Sequence, residues 1–497
     1  MPMPPIRAIV SRFSFDFSHA ALQKAVDALP FEFVCHIAQG GTPVLLKGIP
    51  AEHQDWFDSS EVRGCLYRGT DFAALRPLDE KLIESLAECQ IGFMETVRRL
   101  EWKKEIPYGT RKIWYLRHLQ FWNDYLERHR INLFLSAWIP HEIPEVILYY
   151  LCAYKKIPIL YFHMSTERDM QFAEHAIREP APRLRARFAA LLEEYKGVSD
   201  PEGIPLRPPV LERFRALTDP RGEQPALEQV KHPTYWSDVR ALLTENFLRF
   251  LRAGLGILTP RGLARAFGAW QRARHIRRRR TYYDAHAVSP DFSKRFVYFP
   301  LHMQPEASTC PMAGAFVDQI LIAQLLQATL PDDVLIYVKE HPKESSWVMR
   351  STDYYRDFLA LPKVRLIARH ADTFRLREHC CAVATGTGSA GFEALFRGKP
   401  AFLFGHRFHQ YAHGVFSIHT TEDLRRAVHA VFQSGAKPNL ADARLYLKAM
   451  DESCIHGTLS PWNRVVSRVS DSENIRANSE AIIAEINDLL PLIAGVH

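Results

Sequence analysis

Short apolar runs alternate with helical segments along residues 296–404, and this alternation constrains the fold more than any other feature of the sequence. Each apolar run has the length and composition of a buried strand. Consecutive parallel strands need a crossover connection, which is usually a helix. The sequence therefore predicts a parallel, doubly wound α/β sheet in this part of the chain.

A second α/β unit is predicted nearer the N-terminus. Residues 131–136 and 157–162 read as buried strands, with a helix over residues 145–154 between them. Apolar runs at residues 6–10 and 43–47 have strand character, and the pattern between residues 81 and 128 is helical and amphipathic. Strands joined through a helix in this way are expected to be parallel.

The chain is predicted to have four parts. Its 497 residues, 47% of them hydrophobic, are enough for more than one core. We expect an N-terminal α/β domain at residues 1–175, a helical, proline-rich and basic connecting segment at 176–290, a Rossmann-like domain at 291–435, and C-terminal helices near the domain junction at 436–497.

Charge and cysteine usage restrict the partners and the compartment. The net charge of +7 suggests anionic partners, such as nucleotide phosphates, anionic lipid or an acidic polymer. The eight cysteines include no C-x-x-C pair, which favours reduced thiols in a cytosolic protein. Because the sequence has neither a signal-peptide pattern nor an apolar run of about 18 residues, we expect a cytoplasmic protein that touches a membrane only from that side.

The segment Gly386-Thr-Gly-Ser-Ala-Gly391 forms a glycine-rich turn between a predicted strand and a short helix. Such a turn offers backbone N–H groups to an anion, so Gly386, Thr387, Gly388 and Ser389 are candidate phosphate ligands. Glu393, in the following helix, is a candidate acceptor for ribose hydroxyls.

The same turn is a poor match to two better-known phosphate-binding motifs. A dinucleotide site places its glycines after the first strand of the domain and an acidic residue about 20 positions later. Here at least three strands come earlier and the next strand end carries no acid, although Arg407 would suit a 2′-phosphate and leaves an NADP-dependent oxidoreductase open. No Lys-Ser/Thr follows the glycines, so the turn is not a P-loop.

Two earlier strand ends carry further candidate ligands. His341 and Lys339 follow the apolar run at Val334, and Pro342 restricts His341 to extended backbone. A histidine and a lysine there can bind phosphate and assist a leaving group, whereas each alone is equally typical of a solvated strand end. Gln304 and Glu306 follow the preceding strand and can read a base, a ribose or a sugar, or simply belong to a polar loop.

The N-terminal unit contributes a candidate base. His141 and Glu142 stand in the loop after a buried strand, where open α/β sheets bind ligands. Glu142 is our predicted catalytic carboxylate, and His141 a substrate contact; a glutamate favoured by a helix N-terminus is the alternative. No metal-binding motif stands at a strand end, so the predicted reaction needs no metal and no cofactor.

A basic stripe from Arg272 to Arg280 lies in the connecting segment. Aromatic side chains such as Trp270 interrupt it, a pattern compatible with an anionic membrane surface. A solvated helix face is the ordinary interpretation of such a charge run. No specific nucleic acid partner is expected.

Three segments resemble the C-terminal half of bacterial capsule and surface polysaccharide glycosyltransferases: Val297–Thr309, Val338–Pro342, and Thr385–Ala394 with Gly398–Pro400. The likeness is to the capsule biosynthesis and export group that includes the Kdo transferases, whose nucleotide-binding half carries Gln-Pro and His-Pro motifs. The resemblance spans residues 290–415, and Pro140–Glu142 is a fainter match.

This resemblance implies a GT-B-like architecture, with two Rossmann-like domains facing across a cleft. It also implies that the C-terminal domain binds a CMP- or UDP-linked sugar without a metal, with Gln304, Glu306, His341 and the Thr387/Ser389 turn as its contacts, and that the N-terminal half holds a glycan or lipid-linked acceptor. A sugar-nucleotide epimerase, a CDP-alditol phosphotransferase and a non-catalytic capsule assembly or export protein remain alternatives.

Overall fold

The structure is a computed structural model, and it describes residues 3–39, 43–101, 105–167, 169–219, 260–304, 306–342, 344 and 350–496. Part of the predicted connecting segment, residues 220–259, therefore lies outside the described residues. The predicted fold class is confirmed, because the described chain is α/β and its strands form two sheets that are mainly parallel.

The strands divide between the two sheets according to their position in the chain. The N-terminal sheet contains β1 (Ile6–Ser11), β2 (Phe31–Ala38), β3 (Gln54–Asp58), β4 (Leu133–Ser136), β5 (Ile159–Met164), β6 (Met170–Glu174) and β13 (Ile455–His456). The C-terminal sheet contains β7 (Arg295–Pro300), β8 (Val334–Lys339), β9 (Val364–Leu366), β10 (Ala382–Thr385), β11 (Ala401–Leu403) and β12 (Val415–Ser417).

The helices connect and cover these strands. Those before residue 220 are α1 (Asp16–Ala28), α2 (Ser59–Arg63), α3 (Glu80–Ser85), α4 (Ala87–Val97), α5 (Tyr108–Arg128), α6 (Ile143–Tyr154), α7 (Pro182–Glu194) and α8 (Pro208–Thr218). Those after residue 259 are α9 (Pro260–His286), α10 (Ile320–Thr329), α11 (Thr352–Leu359), α12 (Thr373–His379), α13 (Ser389–Leu395), α14 (Thr421–Phe432), α15 (Leu440–Ser453), α16 (Pro461–Arg464) and α17 (Asp471–Ala494).

The C-terminal sheet has the Rossmann strand order. Its six strands run β12-β11-β10-β7-β8-β9, and every pairing is parallel. The chain builds outward from β7 in one direction through β9, then returns to β10 and builds in the other direction. The point of reversal lies between β7 and β10, where open α/β sheets form a crevice at the carboxyl ends of the strands.

The N-terminal sheet repeats this arrangement. Its order is β13-β6-β5-β4-β1-β2-β3, and the five strands from β5 to β3 are parallel, as predicted for β4 and β5. The reversal lies between β1 and β4. Strands β6 and β13 extend one edge in antiparallel pairings.

One predicted strand is wrong. Residues 43–47 form no strand, because the backbone N–H and C=O of Leu46 are both hydrogen-bonded to the side chain of Gln54, each at 2.8 Å. The second strand of this sheet is instead Phe31–Ala38, which was not among the predicted strands. It pairs with β1 over that strand's whole length.

The carboxyl edges of the two sheets meet, as in the GT-B-like arrangement. The Gln304 amide donates to Glu95 of α4 at 3.4 Å, and the Cys310 thiol lies 3.3 Å from the Gly92 carbonyl. Helix α17 packs its buried residues Ile482 and Ile486 against the core beside α1. The loops that follow the strands are thereby brought from both halves to one place.

Candidate functional site

His302 is the central residue at the point of reversal in the C-terminal sheet. It lies just after β7, and its Nε2 atom is 3.0 Å from Thr385 Oγ1 at the end of β10. The backbone N–H of Thr387 donates to the same Nε2 at 3.2 Å. Burial and the neighbouring cations lower the pKa of His302 to about 3, so the ring is neutral. Because Nε2 accepts, the proton is on Nδ1, which has no partner among the described residues.

The glycine-rich turn wraps around this imidazole. The Gly388 N–H donates to Thr385 Oγ1 at 2.9 Å, so the N–H groups of Thr387 and Gly388 are both already bonded within the protein. A Cβ atom on Gly388 would lie 2.8 Å from Thr385 Oγ1 and 3.0 Å from His302 Cε1. These two N–H groups are therefore not bare, contrary to our expectation for the turn. The glycine allows close approach of the histidine.

Cationic groups surround His302. A guanidinium N–H of Arg350 donates to the His302 carbonyl, and the charges of His341, Arg350 and Arg407 all act on the imidazole. Arg350 is buried and also forms an ion pair with Glu344 at 3.2 Å. A concentration of positive charge at a sheet crevice favours an anionic ligand.

Arg407 connects this region to the N-terminal half. It follows β11, and its guanidinium donates to His163 Nε2 at 2.6 Å and to the Met164 carbonyl at 3.2 Å. Burial lowers the pKa of Arg407 to about 10, which still leaves it charged at neutral pH. The ring of His163 lies 3.6 Å from Glu174, so a chain of polar groups crosses from one sheet to the other.

The other predicted nucleotide contacts have different surroundings. Lys339 is buried at the end of β8, and burial lowers its pKa. The Gln304 amide is engaged on both sides, because its oxygen accepts from Gln319 at 3.3 Å and its nitrogen donates to Glu95. Glu393 forms an ion pair with Arg377 of α12. Roles of these residues in binding stay predictions.

On the N-terminal side, Glu142 lies among three arginines. Its carboxylate is 3.6 Å from Arg12, 3.4 Å from Arg63 and 3.7 Å from Arg99. Burial opposes the charge of Glu142, but attraction to these cations lowers its pKa to about 2. His141 beside it is neutral, since burial and Arg99 lower its pKa to about 4, and its Nδ1 donates to the Ile139 carbonyl at 2.7 Å.

Arg12 occupies the point of reversal of this sheet. It directly follows β1 and has a φ of 71°, a left-handed conformation that is costly for a residue other than glycine. Its guanidinium pairs with Glu145, which also accepts from the Ser11 hydroxyl at 2.8 Å. Strained backbone of this kind is concentrated at functional sites.

Arg99 and Glu306 lie where the two halves meet. Arg99 donates to the His141 carbonyl at 2.8 Å and to the Cys310 carbonyl at 3.5 Å. Glu306 is in the same turn as Cys310, because its own carbonyl accepts from the Cys310 N–H at 2.8 Å. Its side chain is exposed, and none of the described residues forms a hydrogen bond or ion pair with the carboxylate.

The basic stripe is divided between two faces of α9. Arg279 is buried and donates to the Glu344 carbonyl at 3.3 Å, while Arg274, Arg277, Arg278 and Arg280 are exposed. The Phe267 and Trp270 side chains are more than half exposed, and their rings stack at 5.8 Å. The side chain of Arg272 lies outside the described residues.

Several residues of the site were not predicted as ligands. His302 and Arg12 follow strands directly, so the rule that identified His341 would have found both. Arg63, Arg99 and Arg350 come from helices or loops far from the strand ends they reach, and the sequence gives no signal for them. Within the described ranges, no three His, Cys, Asp or Glu side chains are grouped as a metal site would require. No described helix is long and apolar enough to span a membrane.

Residues 271–458 match the model of a family described as capsule polysaccharide biosynthesis protein. The match covers the C-terminal part of the chain and less than half of its length. The family predicted from the Gln-Pro, His-Pro and glycine-rich segments is thus confirmed, and the matched region contains the entire C-terminal sheet. No curated protein matches the chain.

Solved structures that match the chain include a transferase and two epimerases. The KpsC β-Kdo 2,7-transferase of Thermosulfurimonas dismutans is 12% identical, with 78% of this chain and 95% of that chain covered and a TM-score of 0.31. A UDP-GlcNAc 2-epimerase of Methanocaldococcus jannaschii, in complex with UDP-GlcNAc and UDP, is 9% identical, with 90% and 100% covered and a TM-score of 0.26. The enzyme of the same name from Neisseria meningitidis is 11% identical, with 98% and 100% covered and a TM-score of 0.26.

Proposed function

We propose that this protein is a metal-independent glycosyltransferase that transfers a sugar from a CMP- or UDP-linked donor to a surface polysaccharide or glycolipid acceptor. The observation that carries the proposal is the cationic crevice around His302, at the point of reversal of a sheet that lies within the region matched by the capsule polysaccharide biosynthesis family. Its imidazole has an Nδ1–H without a described protein partner, beside Arg350, Arg407 and His341. A nucleotide phosphate is the anion that such a crevice suits.

In this proposal the two halves have separate tasks. The phosphate of the donor binds beside His302, and the surrounding cations stabilise the negative charge that grows as it leaves. The acceptor binds on the N-terminal side, near the loops after β1 and β4.

Nucleotide binding is the first test. We expect one nucleotide from a panel of CMP, CDP, UDP, GDP and NADP to raise the thermal midpoint of the full chain, because a ligand at 100 times its Kd stabilises the folded state by about 2.7 kcal/mol. The corresponding sugar nucleotide should then be consumed with transfer to acceptor in the presence of EDTA. Stabilisation by NADP alone, or by none of the five, contradicts the proposal. An epimerised free donor would instead identify a sugar-nucleotide epimerase.

We also propose that the protein is cytoplasmic and contacts an anionic membrane through the exposed face of α9. The stacked Phe267 and Trp270 would insert among the headgroups while Arg274, Arg277 and Arg278 bind anionic lipid. We expect co-sedimentation with phosphatidylglycerol vesicles that falls at high salt and in Trp270→Ser, each basic residue being worth about 1 kcal/mol near such a surface. Trp462→Ser, at another exposed tryptophan, is the control. Equal sedimentation with phosphatidylcholine vesicles would contradict this contact.

A further inference from the structure

Two carboxylates face each other where the two halves meet, and they differ in their surroundings. Glu142 lies within ion-pair distance of three arginines, so its negative charge is already neutralised. Glu306 interacts electrostatically with Arg99 and Glu142, yet no described residue pairs with it directly. The carboxylate of Glu142 is therefore held in a network of ion pairs, and that of Glu306 is exposed.

The turn that carries Glu306 is fixed at both ends. The Glu306 N–H donates to Thr309 Oγ1 at 3.1 Å, and the Glu306 carbonyl accepts from the Thr309 hydroxyl at 3.0 Å. Arg99 links the same turn to the His141 carbonyl. The backbone of Glu306 is thus held in place, and its carboxylate is left available to a substrate hydroxyl.

The two carboxylates also differ in how readily they can accept a proton. A general base works best when its pKa approaches the operating pH. Desolvation and the negative charge of Glu142 raise the pKa of Glu306, with Arg99 opposing them. Glu142, with a pKa of about 2, has little tendency to take a proton.

We propose that Glu306, not Glu142, is the general base that activates the acceptor hydroxyl. This assignment rests on the proposed function. The acceptor oxygen forms a bond to the anomeric carbon of the donor as its proton passes to a Glu306 oxygen. The bond from that carbon to the phosphate oxygen breaks, and its electron pair leaves with the nucleotide. Glu142 is a positioning residue, because it holds Arg99 and through it the Glu306 turn.

The test compares Glu306→Gln with Glu142→Gln in the full chain. Turnover is measured as nucleotide release from the sugar nucleotide that stabilises the protein, with octyl glucoside as acceptor. We expect Glu306→Gln to lower kcat about 10²- to 10⁴-fold while the nucleotide still raises its thermal midpoint as in the wild type. The decline of kcat at low pH should disappear in this variant and persist in Glu142→Gln.

The pH profile needs this comparison because other groups titrate nearby. Arg99 and Glu142 face Glu306, His141 lies behind Arg99, and burial raises the pKa of Glu344, beside Arg350, to about 7. If Glu306→Gln binds nucleotide and keeps kcat within threefold of the wild type, the base assignment is wrong while the proposed function stands. If no nucleotide stabilises the wild type, the proposed function fails and the base assignment fails with it.

Discussion

Replacing His302 with alanine is expected to lower transfer about 10²- to 10³-fold, the usual cost of removing one preorganised donor to a developing anion. The proton on Nδ1 is the group responsible. Its position follows from Nε2, which accepts the Thr387 N–H at 3.2 Å and lies 3.0 Å from Thr385 Oγ1. Loss of the ring also releases the glycine turn, so nucleotide affinity should fall together with the rate.

A second substitution separates these two effects. His302→Gln places an amide near the Nε2 position, where its oxygen can still accept the Thr387 N–H, but it provides no donor at Nδ1. We expect this variant to keep the thermal stability of the wild type and to lose most of the turnover. His286→Ala, at the exposed end of α9, is the control and should retain full turnover. Wild-type rates in both His302 variants would remove His302 from the site.

The largest expected effect on stability is at Arg407. Substitution by leucine removes the donor to His163 Nε2 and the Met164 carbonyl and leaves both acceptors without their partner. Hydrogen bonds from a charged group contribute about 1.5–3 kcal/mol each. Because Arg407 is partly exposed, we expect a loss of about 2 kcal/mol in the free energy of unfolding, measured by urea denaturation.

The matched control for Arg407 is an arginine whose ion pair is exposed. Arg426 pairs with Asp423 on α14, and its side chain is 66% exposed. Exposed pairs of this kind contribute about 0–1 kcal/mol, so Arg426→Ala should barely move the urea midpoint. Equal effects of Arg407→Leu and Arg426→Ala would show that the link between the two halves does not stabilise the fold.

The sequence predicted the C-terminal half well because its signals are local. Apolar runs and their spacing are enough to locate β7, β8 and β10, and the position after a strand drew attention to His341, whose charge acts on His302. Arg12 follows β1 in the same way. The apolar run at residues 43–47 was wrongly predicted to be a strand. The side chain of Gln54 forms hydrogen bonds to the backbone of Leu46 that a neighbouring strand would otherwise form.

The chemistry of the site was harder to predict because it depends on residues that are distant in sequence. The position of Glu142 in its loop is evident from the sequence, but the arginines that lower its pKa come from the residue after β1, from α2 and from the turn after α4. The sequence of the glycine turn indicated backbone N–H groups without partners. In the structure, however, His302, which lies more than 80 residues earlier in the chain, accepts a hydrogen bond from the Thr387 N–H. Tertiary contacts, not local pattern, determine protonation states here.

Calorimetric titration of the stabilising nucleotide into the wild type, Glu306→Gln and His302→Ala tests the central claim most directly. The claim is that a nucleotide phosphate binds at the crevice around His302. We predict equal affinity for the wild type and Glu306→Gln, and an affinity at least tenfold weaker for His302→Ala, which corresponds to about 1.4 kcal/mol. Unchanged affinity in His302→Ala, or no binding to the wild type, would contradict the claim.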